Sequence, residues 1–159
     1  MHLAVDQLFA NVSFWSAVCA WFAASALKIA NNLRLTGRVD FHYLVSLGGM
    51  PSAHSAMVSA LAVSLGLNEG FGSNVFVIAL AFALVVMFDA STVRRATGQQ
   101  ARLLNHIVDE FFKQHHFRGE NLRELLGHTR LEVFVGMMVG SFVAVLANTL
   151  VLLYHQHPA

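Results

Sequence analysis

Pro51-Ser52-Ala53-His54 opens an uncharged segment that runs to Asn68, and this stretch decides how the chain folds. The preceding Leu47-Gly48-Gly49-Met50 lets the backbone bend sharply. Proline suits the first turn of a helix and serine can cap it, so we predict a helix from residue 51 to about residue 67. A second histidine, His128, stands before the last apolar segment. Two histidines at the starts of two hydrophobic segments are hard to explain by packing alone.

The composition indicates an integral membrane protein. Of the 159 residues, 56% are hydrophobic and 12% are charged, whereas a soluble domain carries about 25% charged residues. A helix needs about 20 apolar residues to cross the hydrocarbon layer, and four segments fit: about 8–30, 51–67, 72–90 and 131–154. We therefore predict an all-α polytopic membrane bundle of about four transmembrane helices, forming a single domain over residues 1–159.

A polar insertion at residues 89–130 separates the third and fourth predicted spans. Leu104, Ile107, Val108 and Phe111 recur at the i, i+3, i+4, i+7 spacing of an amphipathic helix on the membrane surface or over the bundle. Leucines at 122, 125 and 126 indicate a short second one. We expect one or two amphipathic helices within residues 97–126.

The placement of charge predicts a topology. All ten Lys and Arg residues lie within 28–38 and 94–130, and four spans bring both regions to one face. The positive-inside rule makes that face cytoplasmic, with both termini outside. Gly136 and Gly140 form a small-xxx-small pair for close helix packing, and a homodimer through that face stays open. We find no motif for nucleic acid.

The candidate functional residues share the predicted cytoplasmic face. Phosphoryl transfer needs cations around the phosphate oxygens, a nucleophile in line and an acid for the leaving group. Free N–H groups at the start of the second helix favour an anion. Glu132 lies four residues after His128, so its carboxylate could orient that imidazole. The set is Lys28, Arg38 with Arg34 as its alternative, Ser52, His54, Arg94 with Arg95 as its alternative, His128 and Glu132.

These residues stand in segments that resemble a known family, the divergent branch of the type-2 phosphatidic acid phosphatases. The superfamily also includes the vanadium haloperoxidases, and the resemblance spans about residues 25–140. It rests on Gly49-Met50-Pro51-Ser52-Ala53-His54-Ser55-Ala56, Asp89-Ala90 with Val93-Arg94-Arg95, Gly98-Gln99-Gln100-Ala101, Leu104-Asn105, and Gly127-His128-Thr129 with Glu132-Val133.

The resemblance implies a role for each candidate. His128 would form a phosphohistidine, with Glu132 as its carboxylate partner, and His54 would protonate the leaving group. The phosphate would be held by Lys28, Arg38, Ser52 and Arg94. The implied substrate is a lipid phosphate of the bilayer, of the phosphatidate, phosphatidylglycerophosphate or polyprenyl diphosphate type. Neither a metal nor another cofactor is implied.

The same cations fit a second class of function. A non-catalytic membrane protein could use them to bind anionic lipid headgroups, or could act as an assembly partner. The mainstream family has Arg-Pro in its first motif, and no proline follows Arg34 or Arg38, so the residues leave that choice open. A transporter is disfavoured, because the charges lie at segment ends rather than at mid-membrane.

Overall fold

The computed structural model describes residues 2–37, 49–112 and 129–156. Apart from short turns, these residues are helical. The side chains of residues 2–4, 93–95, 97 and 109–112 lie outside this description. No strand occurs in the described ranges, so the predicted all-α bundle is confirmed. The helices are α1 (His2–Phe9), α2 (Val12–Thr36), α3 (Ala53–Glu69), α4 (Asn74–Ser91), α5 (Val93–Phe112) and α6 (Arg130–Gln156).

The first predicted helix, 8–30, is two helices in the structure. Asn11 caps α2, since its side chain accepts hydrogen bonds from the backbone N–H groups of Ser13 and Phe14 at 2.8 and 3.1 Å. The Trp15 indole N–H donates to the carbonyl oxygen of Phe9 at 2.8 Å and closes the junction. Asparagine is a strong N-cap residue, so a short α1 ends where α2 begins, and α2 continues to Thr36.

Helix α3 is the centre of the bundle and packs against α2, α4 and α6. Its buried positions are small: Ala53, Ser55, Ala56, Val58, Ser59, Ala60, Ala62, Ser64 and Gly66. Membrane helices associate through such small residues, because they let backbones approach closely. The helix that carries Ser52 at its cap is therefore the best enclosed helix of the bundle.

The Gly136/Gly140 pair packs within the chain. Both glycines are buried, and a Cβ added at either would overlap a backbone carbonyl oxygen of Ser52 or Ala56 on the α3 side. The predicted close helix packing is therefore confirmed as α6 against α3. This face packs inside the protomer, and a homodimer stays a prediction.

The helices run so that one end of the bundle gathers the beginnings of α3 and α6 with the ends of α2 and α4. At the opposite end, the Ser64 hydroxyl donates to the Ser13 hydroxyl at 2.9 Å. The Asn148 amide donates to Ser64 Oγ at 2.9 Å, and the Asn68 amide donates to Asn148 Oδ1 at 2.7 Å. These bonds join α2, α3 and α6 far from Ser52.

Three described helices, α2, α4 and α6, are long and apolar enough to cross a membrane. With its 17 residues, α3 is about 25 Å long, which is shorter than the roughly 30 Å hydrocarbon core, so the count of four crossings stays a prediction. The amphipathic helix of the insertion is α5, which begins at Val93 rather than near 97. Its exposed apolar residues include Leu104 and Ile107. The second predicted amphipathic helix lies outside the described residues.

Candidate functional site

The first wall of the site is the N-terminus of α3. Ser52 is its N-cap and is fully buried. Its Oγ accepts hydrogen bonds from the Ser55 backbone N–H at 3.3 Å and from the Ser55 hydroxyl at 3.0 Å. The N–H groups of the first helical turn have no partner within the helix, so those of Ala53 and His54 form the positive end of its dipole.

The second wall is the N-terminus of α6, where Thr129 and Glu132 form a capping box. The Thr129 backbone N–H donates to Glu132 Oε2 at 3.0 Å, and the Glu132 backbone N–H donates to Thr129 Oγ1 at 3.3 Å. Reciprocal bonds of this kind define the start of a helix. The spacing Thr129-x-x-Glu132 was a readable signal that the sequence reasoning missed.

This boundary bears on the expected contact between Glu132 and His128. The expectation required both residues on one helix face, but α6 begins at Arg130. One oxygen of the Glu132 carboxylate is already bonded to Thr129. His128 itself lies outside the described residues, so its contact with Glu132 stays a prediction.

The two helix N-termini are joined directly. The Ser52 backbone N–H donates to the Glu132 carbonyl oxygen at 3.0 Å, and Gly136, one turn further along α6, lies against the Ser52 carbonyl group. Each helix start carries about half a positive elementary charge. Two such starts side by side favour an anion such as a phosphate group.

Lys28 brings a buried amino group to the same end of the bundle. Its residue is 3% exposed, and the Glu132 carboxylate lies close enough to stabilise its ammonium electrostatically. A buried charge in a membrane protein is costly unless it is paired or functional. Lys28 therefore points to a polar site inside the bundle and not to an ordinary cytoplasmic flank.

Ser25 lies one helical turn before Lys28 and is fully buried. Its hydroxyl has no hydrogen-bond partner among the described residues. Hydropathy does not single this residue out, because serines are spread through all the apolar segments. Ser25 lies on the α2 face that carries Lys28, and the buried Ser16 hydroxyl further along α2 likewise has no partner among the described residues.

A pocket of about 280 Å³ opens beside the start of α3 and is lined by Asn31, Arg34, Met50 and Pro51, among others. Arg34 is exposed at this mouth. In the choice between Arg34 and Arg38, the structure bears on Arg34 alone, because Arg38 lies outside the described residues. Arg34 is within the wall of a pocket that adjoins Ser52.

The structure thus brings Lys28, Ser52 and Glu132 together and leaves part of the predicted set undescribed. His54 is the second residue of α3 and is half-buried at the same end of the bundle. Arg94 is the second residue of α5, directly after α4, and its side chain is outside the description, as is that of Arg95. Among the described residues, no group of three His, Cys, Asp or Glu side chains is placed to hold a metal ion.

The fold is that of a helical membrane protein in which the starts of α3 and α6 are joined at one end of the bundle, beside the buried Lys28. The family described as "Divergent PAP2 family" matches residues 9–143, and this chain belongs to that family. The "Uncharacterized membrane protein YuiD" of Bacillus subtilis (strain 168) is 34% identical over 159 residues, covering 93% of this chain and 98% of that protein. No solved structure gives a significant match. The chain is an integral membrane protein of the PAP2 type.

Proposed function

We propose that this protein is a lipid-phosphate phosphatase, which hydrolyses a phosphomonoester or diphosphate of a membrane lipid. The observation that carries the proposal is the junction of two helix N-termini beside the buried Lys28. Preorganised N–H dipoles and a fixed cation, held away from water, are the arrangement that stabilises charge on a transferring phosphoryl group. Family membership supports the same reaction class.

The proposed reaction has two steps. An imidazole nitrogen of His128 attacks the phosphorus, the bond to the leaving oxygen breaks, and His54 in its protonated form donates a proton to that oxygen. Water then attacks the phosphohistidine, transfers a proton to His54 and releases inorganic phosphate. His128 and His54 are thereby returned to their starting states, and no oxidant, reductant or metal enters the balance.

The remaining residues bind and orient. Lys28 and Ser52 hold the non-bridging oxygens, with Arg38 and Arg94 as the further cations that the resemblance assigns. Glu132 fixes the start of α6 through Thr129, and in this proposal its carboxylate also supports His128. Phosphatidate, phosphatidylglycerophosphate and polyprenyl diphosphate types all present the required group. The site end faces the cytoplasm in this proposal, because it carries the basic regions.

The test is phosphate release by the detergent-purified protein from a panel of these lipid phosphates, with EDTA present. His128→Ala and His54→Ala should each lower the rate by about 10²–10⁴-fold, the usual contribution of a positioned acid, base or nucleophile. His155→Ala is the matched control, because His155 lies at the far end of α6. Its rate should equal that of the unaltered protein.

Two results would contradict the proposal. One is the absence of phosphate release from every lipid, by protein shown to be helical and monodisperse. The other is release that survives in the His128→Ala protein. If the protein binds anionic lipid without turnover, and His128→Ala leaves that binding unchanged, the second class of function, a non-catalytic headgroup-binding protein, takes its place.

A further inference from the structure

An apolar groove runs along the outside of the bundle between α2 and α6. It is an open surface groove of about 670 Å³, lined on α2 by Ala23, Ala26, Leu27 and Ala30, and on α6 by residues that include Met138 and Phe142. The alanines of α2 are too small to fill the space beside the larger α6 side chains. The two helices therefore leave a channel that is open sideways, where the bilayer would be.

This groove is continuous with the polar pocket at the site end. Leu27 and Ala30 line both cavities. From Ala30 the wall continues to Arg34 and to Pro51, the residue before the Ser52 cap. A ligand that lies in the groove with an anionic end toward Arg34 would thus reach the entrance of the phosphate site without leaving the protein surface.

The depth of this path matches one leaflet. Ala23 lies eleven residues before Arg34 on one helix, which corresponds to about 16 Å at 1.5 Å per residue. Half of a roughly 30 Å hydrocarbon core is about 15 Å. The length and the apolar lining suit one acyl chain of a lipid that sits in the same leaflet as the site, and the exposed Arg34 complements its phosphate.

We propose that the α2/α6 groove binds one acyl chain of the substrate, so that the enzyme acts on phosphorylated glycerolipids with leaflet-length chains. This inference rests on the proposed phosphatase function, and it narrows the substrate class to phosphorylated glycerolipids. It distinguishes phosphatidate-like lipids from two other kinds of substrate that contain the same phosphate group. Water-soluble phosphate esters have no chain for the groove, and long polyprenyl chains extend well beyond its length, so most of such a chain would lie outside it.

The first test blocks the groove. Ala26→Phe and Ala30→Phe each place a ring in the channel, at positions that are exposed and so are compatible with folding. Ala81→Phe on the exposed face of α4 is the matched control. Groove variants should lose at least about tenfold in kcat/KM on long-chain phosphatidate, a discrimination that an apolar pocket can give. For Ala26→Phe, which does not line the polar pocket, the rate on a water-soluble phosphate ester without acyl chains should stay unchanged.

Three results in this test would contradict the proposal that the groove binds an acyl chain. They are unchanged long-chain rates in both groove variants, equal losses on the two substrates in Ala26→Phe, and a loss in Ala81→Phe as large as in Ala26→Phe. Polyprenyl monophosphate hydrolysed faster than long-chain phosphatidate by the unaltered protein would also overturn the chain-length argument.

The second test needs no turnover, so it separates failure of the groove from failure of the proposed function. Phosphatidate with a photoreactive diazirine in the middle of one acyl chain is crosslinked to the unaltered protein, and the modified peptides are mapped. We expect crosslinks on residues 23–30 and 138–142, and their loss in Ala26→Phe. Crosslinks spread over α4 would refute the groove even if phosphate release is observed. Crosslinks confined to the groove in a protein that releases no phosphate would keep it as a lipid-binding site and reject only the enzyme.

Discussion

Gly140→Ala is the substitution whose effect follows most directly from the packing of α6 on α3. An added Cβ would overlap the Ala56 carbonyl oxygen and lie 2.7 Å from the carbonyl carbon and 2.8 Å from the Cα of that residue. The optimal separation of two non-bonded carbon atoms is about 3.5–4.0 Å. All three obstacles are backbone atoms, so no side chain can turn away, and the two helices must part by about 1 Å.

The expected cost comes from two opposing effects. Forcing extra atoms into a packed contact costs about 1–3 kcal/mol, and a gap of 0.5–1 Å forfeits about a quarter to a half of each dispersion contact along the interface. Alanine has the higher helix propensity, which offsets up to about 1 kcal/mol of this cost. We expect a net loss of about 1–2 kcal/mol, which lowers Tm by about 2–8 °C for a chain of this size.

The assay is thermal unfolding in one detergent, followed by helical circular dichroism. Gly72→Ala is the control, because Gly72 lies in the turn before α4 and a Cβ there meets nothing within 4 Å. Its Tm should stay within about 1 °C of that of the unaltered protein. A Gly140→Ala protein that melts at or above the unaltered protein would refute the backbone contact between α3 and α6.

Three further substitutions test separate parts of the structure. Thr129→Val removes the hydroxyl of the α6 capping box and should cost about 1 kcal/mol in unfolding experiments, whereas Thr129→Ser should not; equal losses would count against the cap. Lys28→Met removes the buried cation while keeping its volume, so vanadate binding should weaken at least about tenfold, and unchanged binding would remove Lys28 from the site. Asn148→Leu breaks the bond to Ser64 and should cost about 0.6–1.7 kcal/mol, the range of hydrogen bonds between membrane helices. It should leave phosphate release unchanged, because Ser64 lies about 18 Å along α3 from Ser52; a large loss of activity would show that the two ends are coupled.

Hydropathy was sufficient to predict which segments are helical. Long uncharged stretches can satisfy their backbone polar groups in a membrane only as helices, so α4 and α6 were predictable to within two residues at each end, whereas α2 begins four residues and ends six residues later than predicted. Boundaries set by a single capping side chain were not predictable, because hydropathy does not register them. Asn11 divides the first predicted helix in this way, and the Thr129–Glu132 box moves the start of α6 past the histidine that was expected on it.

The positions of the site residues were only partly predictable. Pro51-Ser52 indicated a helix start, and the topology predicted from the charges put Lys28 at the same end of the bundle. The sequence could not show that Lys28 is enclosed or that Glu132 acts on it, because both facts depend on how α2 and α6 meet around α3. Arg34 was the less favoured alternative to Arg38, since exposed arginines at a membrane flank are ordinary. Its place beside Pro51 emerges only from the fold.

One turn of α6 sets the geometry of the whole site. The Glu132 carbonyl oxygen accepts a hydrogen bond from the Ser52 N–H, and Gly136 lies against the carbonyl group of the same residue. Ser52 is therefore held on both sides, and a slide of α6 by one turn, about 5.4 Å, would break both contacts at once. The two positive helix ends keep their register because the glycines allow close contact there. For this reason we expect substitutions on the α3/α6 seam to alter phosphate binding, whereas substitutions on the lipid-facing side of α4 should change neither binding nor stability appreciably.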